Sequence, residues 1–367
     1  MLKATYIPLT LLLFFSFNPF KLHANVNPND SIKFLIETKV HYGFVIAHHK
    51  SMVHLQTGHF PAFELNFGKQ TNGDKKWQAL YKFPVIGISC WYADLANPAV
   101  LGSSFALFPF MNFHLTQSQR FLLNFRFGVG LGYLTKKFDR INNYKNNAIG
   151  SNFNVCINLF YELKFRLSKK LFITGGIGLT HFSNGALNAP NLGINIPTIN
   201  AGFAYSLNTG SSMKIPPDVK INKEEKKIEI QAFLSGGMKE SFPDIGHKYG
   251  CYSLSACFLK PLSLKRKIGL GIDLFWEFSN RTDPEVKHDY QFLAPGIHIG
   301  HQLEFSRLSF INQIGAYIYN INKSDGLIYL RTALRYKLTD KLLINLALKT
   351  HWTKADFVEF GLGYQLK

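Results

Sequence analysis

The sequence predicts an all-β protein, a transmembrane antiparallel β-barrel of about 16 strands, within a range of about 12 to 16. After the N-terminus, no segment contains 18 uninterrupted apolar residues, so helical membrane spans are not expected. Charged residues make up 17% of the chain and aromatic residues 15%, with many Phe and Gly, a composition suited to sheets with one face in lipid. Segments with a period of two recur as far as the C-terminus.

The N-terminus has the pattern of an export signal. Lys3 precedes an apolar run from Ile7 to Phe17, and a short segment then ends in Leu22-His23-Ala24. An N-terminal membrane anchor is the alternative, but the apolar run is shorter than the roughly 20 residues that a spanning helix needs. We therefore expect residues 1–24 to be a cleaved signal peptide and the mature protein to reach the bacterial outer membrane.

Two segments show strand alternation most clearly. Phe121 to Leu134 and residues 152–167 each place apolar side chains on one face. The opposite face of the second segment carries Glu162, Lys164 and Arg166. A soluble barrel would turn its apolar face inward, so this pattern predicts lipid outside the barrel and charged side chains inside it.

The glycines of the first segment resemble a nucleotide-binding loop only superficially. Gly128, Gly130 and Gly132 fall on one strand face, and no helix follows them. They therefore indicate close packing of side chains inside a narrow barrel.

A long polar stretch divides the chain. We expect residues 25–208 to form a first barrel half, 209–227 a linker and 228–367 a second half, and we interpret the second half as a degenerate duplication of the first. The similarity that suggests duplication lies between "LFYELKFRLSKKLFITGGIGLTHFS" and "IYLRTALRYKLTDKLLINLALKTHWT". One barrel of about 16 strands and two tandem barrels of about eight both fit, and we favour the single barrel.

The formal net charge of +18 requires an acidic partner for an exported protein. Phosphorylated lipid headgroups fit better than nucleic acid, because no basic cluster is interleaved with aromatic residues as in a known nucleic-acid module. We expect a membrane and no nucleic acid as partners.

Neither a metal nor a cofactor is expected. The four cysteines form no CxxC pair. His48-His49 and His59 lie in a predicted surface loop that offers no carboxylate partners for a metal.

His181 and Ser183 end a strand that begins at Leu171. Their parity matches the apolar residues of that strand, so both side chains should face the membrane boundary. In bacterial barrels short turns are periplasmic and long loops extracellular, which places His181 near the cell surface. Residues two apart on a strand are about 6.5 to 7 Å apart, so the imidazole can reach the hydroxyl. Serine and histidine at this spacing can act as nucleophile and general base.

The segment "HFSNG" at 181–185, followed by "PNLG" at 190–193, resembles the PagL-type lipid A deacylases, outer-membrane barrels that hydrolyse an ester-linked acyl chain of lipid A. The resemblance covers residues 25–207 as a unit and is strong across 176–207. It implies Ser183 as nucleophile and His181 as general base. It also implies Asn191 as a donor to the oxyanion. We expect the backbone N–H of Gly193 to be a further oxyanion donor and Asn184 to bind substrate.

The sequence departs from the family pattern at one position. The triad acid should fall near position 195, where this chain has Asn195. An amide can orient the imidazole but cannot stabilise the imidazolium by charge. Strand parity gives Asn195 the outward face of the next strand, where it can meet His181.

These features predict an outer-membrane serine esterase that removes an ester-linked acyl chain from lipid A or a related glycolipid of lipopolysaccharide. Lys136, Lys137 and Arg140 would bind the glucosamine phosphates. The alternative is a non-catalytic barrel, either a channel or a structural protein that binds lipopolysaccharide. The oligomeric state stays open.

Overall fold

The chain folds into two closed antiparallel barrels of eight strands each. The computed structural model describes residues 34–116, 121–207, 227–240, 246–282, 287–352 and 354–366. The prediction of an all-β fold with about 16 strands is confirmed, whereas the favoured single barrel is wrong and the two-barrel alternative is correct. The signal peptide predicted at 1–24 and the predicted linker, apart from residue 227, lie outside the described residues.

Each barrel closes through its own first and last strands. The first barrel consists of β1 Phe34–Phe44, β2 His59–Gln70, β3 Val85–Asp94, β4 Ser103–His114, β5 Phe121–Leu134, β6 Phe153–Arg166, β7 Leu171–Ser183 and β8 Ile194–Ser206. The second consists of β9 Glu229–Glu240, β10 Lys248–Ser263, β11 Arg266–Glu277, β12 Leu293–Phe305, β13 Leu308–Tyr317, β14 Ile328–Lys337, β15 Leu342–His351 and β16 Lys354–Gln365. Because β1 pairs with β8, and β9 with β16, neither barrel leaves an edge for the other to continue.

Helical structure is confined to short segments. The described residues include one α-helix, α1 Lys76–Leu80, and 3-10 turns at Lys50–Leu55, Phe278–Thr282, Asp289–Phe292 and Lys323–Asp325. Within the described part of the chain, none of these helices has the length and apolarity needed to cross a membrane.

The interior of the first barrel is filled with paired charges. Arg126 donates to both carboxylate oxygens of Glu64, at 2.6 and 2.7 Å. Lys39 pairs with Glu162, and Lys164 lies 3.1 Å from the same carboxylate. The inward orientation predicted for Glu162 and Lys164 is confirmed, since they are 0% and 6% exposed. An eight-stranded barrel is just wide enough for such side chains to fill it.

The second barrel has the same organisation with different residues. Lys239 and Lys349 each contact both Glu277 and Asp356, at 2.5 to 2.6 Å. Arg331 of β14 forms further ion pairs across the interior with acidic residues of β11 and β16. Because buried charges are tolerated only when they are paired, these networks fix which residues face inward.

An apolar core closes the end of the first barrel that carries its longer loops. It combines strand residues such as Phe182 and Ile194 with loop residues such as Met52 and Ile149. The packing role predicted for the β5 glycines is confirmed at Gly132, where an added Cβ would lie 2.5 Å from the Phe182 ring. Phe182 is fully buried and thereby anchors the strand end between His181 and Ser183.

Candidate active site

The alternation of side chains at the end of β7 sets the orientation of His181 and Ser183. Phe182 between them is buried inside the barrel, while Ile173 and Ile177, which share their parity, are exposed on the outer face. His181 is half-buried, and Ser183 is 8% exposed. The pair therefore lies at the outer surface of the barrel wall, close to its loop end.

Strand register brings Asn195 directly opposite His181. The two residues are cross-strand partners of β7 and β8, and His181 Nδ1 lies 2.6 Å from Asn195 Oδ1. A carbonyl oxygen only accepts, so the imidazole donates from Nδ1 and its Nε2 retains a free lone pair. This is the tautomer that a general base needs. Among the described residues the Ser183 hydroxyl has no hydrogen-bond partner.

The Asn191 amide is held at one end only. Its Oδ1 accepts the backbone N–H of Asn184 at 3.0 Å. Its Nδ2 is buried and has no acceptor among the described residues. A buried donor without a partner costs free energy of about 1–3 kcal/mol, so this N–H group is available to an incoming oxygen.

Asn184 is used within the protein. Besides its backbone N–H, its side-chain Nδ2 donates to Ser151 Oγ at 2.9 Å, and Asn184 is only 7% exposed. These contacts fix the strand end that carries Ser183 and hold the side-chain oxygen of Asn191, Oδ1, in place. The geometry is that of a support for Asn191 more than of a contact to substrate.

Gly193 contributes shape to the site, and its N–H is already occupied. That N–H donates to the Ala148 carbonyl at 2.9 Å, so the expectation that it would serve as an oxyanion donor is not met. Gly193 has a φ of +81°, and a Cβ there would lie 2.8 Å from His181 Cε1. Only glycine combines this backbone conformation with so close an approach to the imidazole.

The basic residues predicted to bind phosphate lie on the loop between β5 and β6. Lys136, Lys137 and Arg140 are all exposed. Asn146 holds this loop in place by donating to the Lys136 carbonyl at 3.1 Å, and Ala148 links it to Gly193. The loop and the end of β7 lie at the same end of the first barrel.

Sequence reasoning missed His48. Its Nδ1 lies 3.1 Å from Asn195 Nδ2, and its Nε2 lies 2.9 Å from the Leu192 carbonyl. The sequence suggests His48 only as a metal ligand in a surface loop, because a contact across 147 residues leaves no periodic signal. His59, assigned to the same loop, instead begins β2.

The described residues contain no group of three or more His, Cys, Asp or Glu side chains that could hold a metal ion. The four cysteines are free thiols. The groups that meet at the site are the Ser183 hydroxyl, the His181 imidazole and the side-chain amides of Asn191 and Asn195.

Comparison with known families places the chain. Residues 62–204 match the sequence model described as lipid A 3-O-deacylase (PagL), and residues 228–367 match the model described as the C-terminal domain of acyloxyacyl hydrolase. The chain belongs to the PagL family. The first match contains β7, most of β8 and the residues between them. The second covers the whole second barrel, which lies outside the resemblance seen in the sequence.

No curated protein matches the chain. Among solved structures it is similar to a deletion mutant of the monoaromatic hydrocarbon channel TodX, with 9% identity, coverage of 90% and 89% of the two chains, and a TM-score of 0.19. It is also similar to a mutant porin of Rhodopseudomonas blastica, with 7% identity, coverage of 92% of this chain and 100% of the porin, and a TM-score of 0.20. For an outer-membrane channel from Pseudomonas putida F1 the identity is 12%, the coverage is 93% of this chain and 99% of the channel, and the TM-score is 0.19. These scores are too low to carry an argument, so membership of the PagL family is the finding that bears on function.

Proposed function

We propose that the protein is an outer-membrane serine esterase that removes an ester-linked acyl chain from lipid A or a related glycolipid. The observation that carries the proposal is the 2.6 Å contact between His181 Nδ1 and Asn195 Oδ1, two residues from Ser183 on the outer face of β7. Membership of a family described by lipid A deacylation supports the same substrate class.

The chemistry follows from the tautomer of His181. The Ser183 hydroxyl adds to the ester carbonyl while His181 Nε2 takes its proton. The tetrahedral intermediate collapses, and the imidazolium returns the proton to the departing sugar hydroxyl, which leaves an acyl group on Ser183. Water, deprotonated by His181, then attacks this acyl ester. The imidazolium returns the proton to Ser183 Oγ as the bond to the acyl group breaks and the fatty acid leaves. His181 carries the proton in both steps, so its Nδ1 must stay bonded to Asn195 throughout.

The negative charge on the intermediate needs a donor, and the Asn191 Nδ2 group supplies one. It is buried and unpartnered, and the Asn184 N–H fixes the opposite end of the amide. A donor that is oriented before the reaction costs no reorganisation when the charge develops. Gly193 supports the site by allowing the His181 ring to approach the backbone.

The outward orientation of the site suits a lipid substrate. Ile173 and Ile177 extend the same face along the barrel wall, so an acyl chain can lie against apolar side chains without leaving the hydrocarbon. Lys136, Lys137 and Arg140 are exposed on the neighbouring loop, where they would bind the phosphates of the sugar headgroup.

A channel function is less compatible with the two barrels. Each has only eight strands, and each interior is occupied by buried ion pairs. Binding of lipopolysaccharide without cleavage remains the competing outcome, because Asn195 replaces an acid.

The test is to express the full-length protein and its Ser183→Ala variant in an outer membrane that contains lipopolysaccharide and to compare lipid A by mass spectrometry. We expect the wild type alone to produce lipid A that lacks the mass of one hydroxyacyl chain. Ser168→Ala, in a turn at the opposite end of the first barrel, is the matched control and should behave as the wild type. Identical spectra for wild type and Ser183→Ala would favour lipid binding without hydrolysis.

A further inference from the structure

His48 is brought to the site by an extension of the β-pairing between β1 and β8. Beyond the end of β1, the Ile46 N–H donates to the Asn195 carbonyl at 2.9 Å. Val45, which is 1% exposed, packs in the same apolar core as Ile194. The segment that carries His48 is thus fixed beside the first residues of β8.

Four groups then form a continuous chain of hydrogen bonds. His48 Nε2 lies 2.9 Å from the Leu192 carbonyl, and His48 Nδ1 lies 3.1 Å from Asn195 Nδ2. Asn195 Oδ1 completes the chain with the 2.6 Å contact to His181 Nδ1. The chain runs from a backbone carbonyl to the proposed general base.

The direction of every donor in this chain follows from the carbonyl at its end. The Leu192 oxygen only accepts, so His48 carries its proton on Nε2, and its Nδ1 is an acceptor. That acceptor takes an N–H of Asn195, which turns the amide oxygen towards His181 and requires the proton of His181 on Nδ1. The Ile46 carbonyl, 3.3 Å from His48 Nδ1, favours the opposite tautomer, but that tautomer would set two lone pairs against each other at the shorter contact with Leu192.

An amide needs this support in a way that a carboxylate does not. Both carboxylate oxygens accept, so either orientation of an acid leaves the histidine in the productive tautomer. A flipped Asn195 would instead present its NH2 group to His181 Nδ1 and force the proton onto Nε2, which could no longer act as a base. We propose that His48 is a positioning residue that fixes the orientation of the Asn195 amide and thereby the catalytic tautomer of His181. This inference rests on the function proposed above.

The test is a double-mutant cycle on the full-length protein, with kcat and KM measured for release of the acyl chain from lipid A. We expect His48→Leu to lower kcat by about tenfold or more and to change KM by less than about twofold. In an Asn195→Asp background the same substitution should change kcat by less than about twofold, because a carboxylate needs no orienting partner. His48→Gln keeps one acceptor and one donor and should retain most of the activity, and the exposed neighbour His49→Leu is the control.

Two kinetic results would overturn the inference. One is full activity of His48→Leu, and the other is an equal loss of kcat in both backgrounds, which would indicate that His48 only supports folding. The tautomer can also be read without turnover, from the 15N spectrum of histidine-labelled full-length protein with the His181 signals assigned by His181→Gln. We expect a protonated Nδ1 in the wild type and a shift towards protonated Nε2 in His48→Leu. An inactive wild type with the expected spectrum would contradict the proposed function alone, whereas an unchanged spectrum in His48→Leu would contradict the role of His48.

Discussion

Asn191 and Asn195 each accept a fixed hydrogen bond through the oxygen of the side-chain amide. Asn195 presents its oxygen to His181, and Asn191 presents its oxygen to the Asn184 N–H. The Asn191 amide therefore directs an unpartnered N–H group into the site. Both roles depend on the difference between the two ends of an amide, so isosteric changes at these positions are informative.

We expect Asn191→Ala to lower kcat by about 10² to 10³, equivalent to about 2.7–4 kcal/mol, with little change in KM, because the lost donor acts on the charge of the intermediate. Acyl-chain release from lipid A in detergent provides the measurement. Asn72→Ala, in the loop after β2 at the other end of the barrel, is the control. A kcat unchanged by Asn191→Ala would exclude Asn191 from stabilising the intermediate.

For individual residues, the sequence predicts the properties that follow from strand alternation. Parity along β7 and β8 gave the shared outer face of His181 and Asn195, because the side-chain period of a strand is two. It could not give the contact of His48, which depends on a loop folding back onto β8, nor the occupied N–H of Gly193, which depends on the neighbouring loop. Both contacts join residues that are distant in the sequence and follow no period.

Among the structural elements, the turn into β8 has a strict steric demand. Gly193 combines positive φ with an approach to the imidazole that leaves no room for a methyl group. Strand bounds were accessible from the sequence, as Phe121–Leu134 and Leu171–Ser183 coincide with β5 and β7. The sequence does not reveal which strands pair where each barrel closes. Alternation shows which face of a strand a residue occupies, and not which strand lies beside it.

We expect Gly193→Ala to lower both kcat and the thermal stability of the protein. The backbone strain of a non-glycine residue at positive φ costs about 1–3 kcal/mol, and the new Cβ also displaces the His181 ring. Gly326→Ala is the matched control, since Gly326 has a φ of +74° and no atom within 4 Å of an added Cβ. Thermal unfolding and acyl-chain release together separate the two effects. Equal loss of activity in both variants would show that contact with His181 is not the cause.

At the scale of the whole molecule, the chain consists of two barrels with different contents. The first carries the outward pair of His181 and Ser183, whereas His351, near the corresponding point of the second, is buried and bonded to Tyr317. The second barrel matches a family domain of its own, so it is a regular part of this chain's family. Whether it arose by duplication stays a prediction.

Both interiors are filled, so we expect no ion conductance above background when the full-length protein is reconstituted into planar lipid bilayers. Eight strands leave room only for side chains, and the ion pairs of Arg126 and Lys349 occupy that room. A general porin reconstituted in the same way is the positive control. Stepwise conductance of the purified protein would support the channel alternative.

Whether His181 activates Ser183 is tested most directly with an alkyl fluorophosphonate. The serine to which the reagent attaches in the full-length protein is identified by mass spectrometry of its peptides. This reagent modifies a serine that a neighbouring base activates, whichever glycolipid is the substrate. We expect activation of Ser183 by His181 to give modification of Ser183 in the wild type and no modification of it in His181→Ala. Modification of a different serine, or equal labelling of Ser183 in the wild type and in His181→Ala, would contradict it.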